Sequence, residues 1–193
     1  MSAPQSLKKI LLFLPIFFAV LGLACASEDG FGQTMNVSGQ YFTVYYSPAL
    51  DLDALSKELN IGTVDKILAG EPSRSISNSP KNSLAGMLDV LFMRVGDILD
   101  MHLYNFQGTI KICADDKALS AIYSNLFDAE LGNRFSFYAY SLNTIYISSQ
   151  HFTREILGHE IAHAIISNYF VVQPPIKASE VLAGYVEYQL RKP

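Results

Sequence analysis

The chain has 193 residues, half of them hydrophobic, with 14 basic and 18 acidic side chains and a net charge of −4 at pH 7. This acidic balance argues against nucleic acid or an anionic membrane surface as a partner. The length is enough for one compact domain with a hydrophobic core, and the sequence contains no internal repeats or low-complexity tracts.

Residues 1–26 have the features of a secretory signal peptide. Two lysines precede an apolar run from Ile10 to Leu23, and Ala24-Cys25-Ala26 supplies small residues for a cleavage site. The run is short for a membrane span of about 20 residues. We therefore expect a secreted or periplasmic domain of residues 27–193, with no stable membrane span and a net charge of −6. An uncleaved membrane anchor and a lipoprotein modified on Cys25 are the alternatives.

The first half of the mature chain predicts a strand and two helices. β-Branched and aromatic residues predict a strand over 40–46, and leucines at helical spacing predict a short helix over 51–60. Residues 70–80 read as a Ser-rich polar loop. A broad apolar face over 82–104 predicts a long core helix, with His102 as a core or boundary residue.

The next segment predicts a strand over 108–113, a helix over 115–127 and an antiparallel hairpin over 134–148. Cys113 would be the only thiol after signal cleavage, so no internal disulfide is possible. Its place in an apolar strand predicts a buried structural thiol rather than a nucleophile. His151 follows the hairpin and is either a surface or capping residue or a group that reaches a cleft.

The motif His159-Glu160-Ile161-Ala162-His163 carries the strongest chemical signal in the chain. Two histidines four residues apart share one face of a helix, about 6 Å apart along its axis, so both imidazoles can bind one metal ion. Glu160 is positioned to act as general base toward a metal-activated water. The rest of this helix is apolar, where histidine and glutamate are costly unless paired or metal-bound. The motif therefore predicts a zinc hydrolase site, with two satisfied core histidines as the structural alternative.

A hydrolytic zinc site needs a third protein ligand and one open position. After Pro174-Pro175, apolar residues at helical spacing predict a second helix over 178–190, and the short turn packs it against the first. An early carboxylate on this helix can therefore face the histidines. The HExxH motif, the Pro-containing linker and Ser179-Glu180-Val181-Leu182-Ala183-Gly184-Tyr185 together resemble the gluzincin metallopeptidases, in particular the peptidase-MA-like and minigluzincin group.

The resemblance covers about residues 143–188 and implies both a fold and an activity. The implied fold is α+β: a compact zincin-like domain with a small mixed sheet, an HExxH active-site helix and a following Glu-bearing helix. The implied activity is that of a zinc metallopeptidase that cleaves a peptide or protein substrate. The implied site consists of three Zn²⁺ ligands and a general base: His159, His163, Glu180 and Glu160. Substrate backbone would pair with a strand edge that runs through Phe135 to Ser148.

Two positions depart from the family pattern. Val181 replaces the usual glycine, and Gly184 stands where many members carry an acid that hydrogen-bonds a zinc histidine. Loss of such a partner typically weakens metal binding or activity by 10–100-fold, so a weak or inactive binding module of the same fold is the alternative function. Glu187, two turns after Glu180, is the alternative third ligand, and Glu155 is either a solvated helix-start acid or a partner of a zinc ligand.

The sequence does not select the group that stabilises the oxyanion of the reaction. Members of the family often use a tyrosine or a histidine for this purpose. The candidates in this chain are four tyrosines: Tyr138, Tyr140, Tyr169 and Tyr185. Of these, Tyr185 suits packing against the core better than catalysis, because it lies on the predicted ligand helix itself.

Overall fold

A computed structural model describes residues 29–33, 35–61 and 80–192. Within these ranges the chain forms one five-stranded sheet and five α-helices. The strands are β1 (Met35–Ser38), β2 (Phe42–Tyr46), β3 (Gly108–Cys113), β4 (Ser136–Ala139) and β5 (Thr144–Ser148). The helices are α1 (Leu52–Glu58), α2 (Pro80–Leu99), α3 (Asp116–Phe127), α4 (Arg154–Tyr169) and α5 (Ile176–Arg191). The predicted signal peptide and nearly all of the loop 70–80 lie outside the described residues.

The sheet is mixed, as the sequence predicts. Its strand order is β1-β2-β3-β5-β4. Strands β2, β3 and β5 run parallel, whereas β1 and β4 pair antiparallel to their neighbours. The expected hairpin is confirmed, because β4 and β5 pair from Ser136 opposite Ile147 to Ala139 opposite Thr144.

The expected substrate-pairing edge from Phe135 to Ser148 is wrong in its second half. Strand β5 lies between β3 and β4 and is hydrogen-bonded on both sides. All five of its residues are buried. Of these two strands only β4 lies at an edge of the sheet, and in the described part of the chain β5 is its one partner.

Two hydrophobic clusters cover the two faces of the sheet. The larger cluster joins the sheet to α1, α2, α4 and α5, and the smaller one joins it to α3. The alternation along β5 shows the division: Ile145 and Ile147 belong to the larger cluster, and Tyr146 belongs to the smaller one. Cys113 lies buried in the smaller cluster, and burial raises the pKa of its thiol to about 12. The expectation of a buried structural thiol is therefore confirmed.

The long core helix ends earlier than predicted. It stops at Leu99 rather than near 104, because Asp100 adopts a left-handed conformation with φ of 54°. The N–H of Met101 then donates to the carbonyl of Gly96 at 2.9 Å, which closes the helix end in the manner of a Schellman turn. His102 consequently lies in a loop and is exposed, so the prediction of a core or boundary position is wrong.

Helices α4 and α5 pack closely along their length, and this contact positions the candidate site. The predicted second helix is confirmed, although it begins two residues earlier, at Ile176, directly after Pro174-Pro175. Gly158 allows the close approach: a Cβ at this position would meet Leu190 Cδ1 at 2.1 Å. No helix in the described ranges is both long enough and apolar enough to cross a bilayer.

Candidate metal centre

Helix α4 presents the two histidines of the motif from a firmly anchored start. The side chain of Thr153 caps the helix by accepting a hydrogen bond from the N–H of Ile156 at 3.4 Å. Eight of its 16 residues are buried, including Leu157, Ile161 and Ile165. Because α4 packs against β4, β5, α2 and α5, its histidines have little freedom to rotate away from the α5 side.

The two imidazoles and one carboxylate converge on a single point. The Nε2 atoms of His159 and His163 are 3.2 Å apart. Each Nε2 lies 3.6 Å from a carboxylate oxygen of Glu180. In a tetrahedral zinc site with bonds of about 2.0 Å, two ligand atoms are about 3.3 Å apart. The three predicted ligands therefore form a group that could hold a metal ion, with donor types and spacing compatible with zinc.

The Nδ1 atoms of the two histidines, which face away from this point, both lie near side chains of α5. Nδ1 of His163 is 2.9 Å from Ser179 Oγ. A ring that binds a metal through Nε2 carries its proton on Nδ1, where it donates to such an oxygen. Burial lowers the pKa of His163 and repulsion from His159 lowers it further, while Glu180 opposes them. The neutral imidazole, which is the form that binds metal, is favoured by burial.

Glu187 stands beside His159 on the opposite side of the ring from Glu180. Its Oε2 lies 3.3 Å from Nδ1 of His159, and its Oε1 pairs with Arg191. The His159 Nδ1 contact is close enough for charge attraction but does not have hydrogen-bond geometry, and this buried nitrogen makes no hydrogen bond within the described chain. Glu187 is therefore placed as the partner of a ligand rather than as the third ligand itself.

This position of Glu187 answers the question raised by Gly184. A carboxylate beside His159 is present, three residues after Gly184 on α5. Gly184 has no atom within 4 Å of where a Cβ would stand, so its side of the helix is open. His159 therefore has an acid at its Nδ1 side although position 184 carries none.

Glu160, the predicted general base, is buried against the edge strand. Ser136 of β4 donates its Oγ hydrogen to Oε1 of Glu160 at 2.7 Å. Burial raises the pKa of Glu160, whereas the hydrogen bond from Ser136 and the charges of His159 and Arg134 oppose this rise. A carboxyl group with a raised pKa and one oxygen held in place is suited to accept and return a proton.

An open cleft of about 190 Å³ adjoins these groups. Its wall is formed by α4, α5 and the residues that lead into β4. Its lining comprises Asn133, Arg134, Phe135, Ser136, Ile156, His159, Glu160 and Glu187. A second cavity, of about 160 Å³, lies between α2, α4 and the end of α5 and contains none of the predicted site residues. The cleft beside Glu160 is therefore the candidate site for substrate binding and reaction.

None of the four candidate tyrosines lines this cleft. Tyr138 donates its hydroxyl hydrogen to Asn143 Oδ1 at 2.8 Å, and burial raises its pKa to about 12. Tyr140, Tyr169 and Tyr185 are exposed, so the expected packing of Tyr185 against the core is wrong. The contacts of the described residues select none of the four as the group that stabilises the oxyanion.

His151 and Glu155 have supporting positions. The ring of His151 stacks on Phe135 with centroids 3.6 Å apart, and its Nε2 lies 3.3 Å from Asp116. His151 therefore backs a residue of the cleft wall without lining the cleft. Glu155 lies in the first turn of α4 next to Arg154, which agrees with a helix-start acid.

Ser136 and Arg134, which both act on Glu160, are not among the site residues that the sequence predicts. Arg134 lies two residues before β4, and Ser136 is its first residue. Their closeness to Glu160 depends on which strand occupies the sheet edge. A partial signal was available: Ser136 and Tyr138 alternate with the buried Phe137, so a polar group at 136 faces the α4 side of the strand.

Comparison of the chain with protein-family models, with curated proteins and with solved structures gives no significant match in any of the three.

Proposed function

We propose that the protein is a zinc-dependent metallopeptidase with a zincin-like domain, secreted or periplasmic, that hydrolyses peptide bonds. The observation that carries this proposal is the convergence of His159, His163 and Glu180, with His159 and the buried Glu160 both lining an adjoining open cleft. Structural zinc sites are closed by four protein ligands, whereas three ligands next to a cleft are typical of catalytic sites. The site's composition of two histidines and one carboxylate is that of several zinc hydrolases.

His159, His163 and Glu180 would hold the zinc ion, and Ser179 and Glu187 would orient the two rings. When bound, zinc supplies a Lewis acid for the scissile carbonyl and lowers the pKa of a water toward neutrality. Glu160 accepts a proton from the attacking water and returns it to the leaving amine nitrogen. Ser136 occupies Oε1 of this carboxylate, which leaves Oε2 for the proton.

The free edge of β4 supports an extended peptide as the substrate. A peptide that pairs with this edge would gain main-chain hydrogen bonds, as in other cases of strand addition. The strand has four residues, so the pairing surface is short. It begins at Ser136, the residue that holds the general base, so a paired peptide would pass close to Glu160.

The proposal is tested with Glu160→Gln. This variant keeps the shape of the side chain and the three ligands but removes the base, so we expect normal zinc content and loss of peptide cleavage by at least about 10²-fold. The measurement is digestion of a broad peptide library, read by mass spectrometry, with the zinc content of both proteins determined in parallel. Equal cleavage by the variant would refute the assignment.

The alternative function, a zincin-fold module that binds but does not cleave, is distinguished in the same experiment. It would show bound zinc and no cleavage by the wild-type protein. The observation in its favour is the absence of an acid at position 184. Glu187, however, places a carboxylate near His159. We therefore favour the peptidase.

A further inference from the structure

The cleft contains a cation that the proposed metal centre does not use. Arg134 lies two residues before β4 and lines the cleft together with His159 and Glu160. Its charge is near enough to Glu160 to favour the ionised form of that carboxylate. Among the residues that line the cleft, it is the only lysine or arginine.

Arg134 is exposed, and contacts with its neighbours restrict the orientation of its guanidinium. Its Nε donates to the carbonyl of Leu131 at 3.1 Å, and its Nη2 donates to the hydroxyl of Tyr123 at 3.0 Å. The guanidinium also lies 5.0 Å from the centre of the Tyr123 ring, which packs edge-on against Phe137. A guanidinium that is already ordered loses less entropy when it binds a partner.

Most of the donors of this guanidinium remain available. The two hydrogen bonds use two of its five N–H groups, which leaves three. No carboxylate in the described part of the chain forms an ion pair with it. The acids of the cleft are otherwise engaged, Glu160 by Ser136 and Glu187 by Arg191 and His159. The cleft therefore has an ordered positive charge without an anionic partner from the described residues.

We propose that Arg134 forms a substrate subsite for a carboxylate, which makes the enzyme selective for peptides that carry one close to the cleaved bond. This inference rests on the proposed function. The planar fork of arginine matches a carboxylate through two parallel hydrogen bonds. The carboxylate can belong to an acidic side chain or to the C-terminus of the peptide, because the chemistry is the same.

The first test measures binding without cleavage. Zinc-loaded protein with Glu160→Gln is titrated with three hexapeptide pools of randomised neutral residues. One pool has a scanned Glu and an amidated C-terminus, one has Gln in its place and a free C-terminus, and the third has Gln and an amidated C-terminus. We expect at least one carboxylate pool to bind roughly 10- to 100-fold more tightly than the third pool. The pool that does so identifies the source of the carboxylate.

The preference should disappear when Arg134→Gln is added and should persist when Arg94→Gln is added instead. Arg94 is an exposed arginine that lines the other cavity and is therefore a matched control. Arg134→Lys should keep part of the preference, because it keeps the charge and loses the fork. Equal affinity for all three pools, or a preference that survives Arg134→Gln, overturns the inference.

The second test uses turnover by the protein with an intact Glu160. Arg134→Gln should lower kcat/KM for the preferred carboxylate peptides roughly 10- to 100-fold more than for neutral peptides, because any change that the loss of its charge causes at Glu160 affects all peptides equally. An equal loss of kcat/KM on all peptides would overturn the subsite. If wild-type protein cleaves no pool but the binding preference is present, the peptidase assignment fails and the carboxylate subsite stands.

Discussion

At the scale of single residues, two carboxylates of α5 lie close to different nitrogens of the His159 ring. Glu180 and Glu187 are seven residues apart, which is almost two helical turns, so they lie within about 20° of the same face of the helix. Glu180 meets the Nε2 side of the ring and Glu187 meets the Nδ1 side. The same face of α5 thus carries the proposed third metal ligand, Glu180, and the acid beside His159, Glu187.

We predict that Glu187→Gln weakens zinc binding by about 10–100-fold while leaving the three ligands in place. The amide keeps the size of the side chain but loses the charge beside Nδ1 of His159. Competition with a chromophoric chelator gives the zinc dissociation constant. Glu155→Gln is the control, since this acid lies in the first turn of α4 and contacts no ligand. An unchanged constant in Glu187→Gln would mean that its contact with His159 has no role in metal binding.

The convergence of His159, His163 and Glu180 was predictable because the relation between these residues is local. The i, i+4 spacing of His159 and His163 fixes their common face, and a short turn brings Glu180 back to it. Ser136 was not predictable in the same way, because it precedes Glu160 by 24 residues. Its contact exists only because β4 lies at the sheet edge next to α4, which no local pattern specifies.

At the scale of secondary-structure elements, the distance between α4 and α5 depends on glycine. Gly158 directly precedes His159 and allows Leu190 and Val186 of α5 to approach the α4 backbone. Gly184 lies in the middle of α5 and faces open space. The two glycines therefore have opposite roles, although both interrupt helices with a residue of low helix propensity.

We predict opposite effects of alanine at these two positions. Gly158→Ala should lower the free energy of unfolding by about 1–3 kcal/mol, because the added methyl forces α5 or Leu190 to move. Gly184→Ala should raise it by roughly 0.5–1 kcal/mol, because alanine favours the helix and meets no atom. Urea unfolding midpoints at unchanged slope provide the measurement. Stabilisation by both substitutions would show that the contact between the helices relaxes without cost.

Element types were easier to predict from the sequence than element ends. Strand β3 has the predicted bounds, and α3 begins one residue after the predicted start because Asp115 serves as its cap. Strand β1 was missed, since its four residues are mostly exposed and carry no clear alternation. Its turn into β2 is held by Asp89 of α2, which accepts from the N–H groups of Gln40 and Tyr41. That support comes from a side chain 49 residues after the turn and is invisible to a local pattern.

At the scale of the whole molecule, the metal centre joins two helices that belong to the larger hydrophobic cluster. His159 and His163 belong to α4 and Glu180 belongs to α5, and both helices pack on α2 as well. An ion held by all three side chains binds the folded state and not the unfolded chain. The stability of the whole domain should therefore depend on zinc.

We predict that zinc raises the free energy of unfolding by about 2.7 kcal/mol at a free concentration 100 times the dissociation constant. Thermal unfolding with and without a chelator measures the effect. Glu180→Ala should lose most of this response and show a reduced zinc-to-protein ratio, because the partly exposed carboxylate can be removed without opening the core. A zinc response of the same size in Glu180→Ala would exclude this residue as a ligand.

The hydrogen bond between Ser136 and Glu160 links the alignment of a bound peptide to the proposed proton transfer. The strand that offers its outer side to an extended chain is also the strand that fixes the proton acceptor. A peptide that pairs with β4 in a register shifted by one residue would strain the backbone that orients the Glu160 carboxylate. The register of the bound peptide and the reactivity of the proposed base would therefore both depend on the position of this strand.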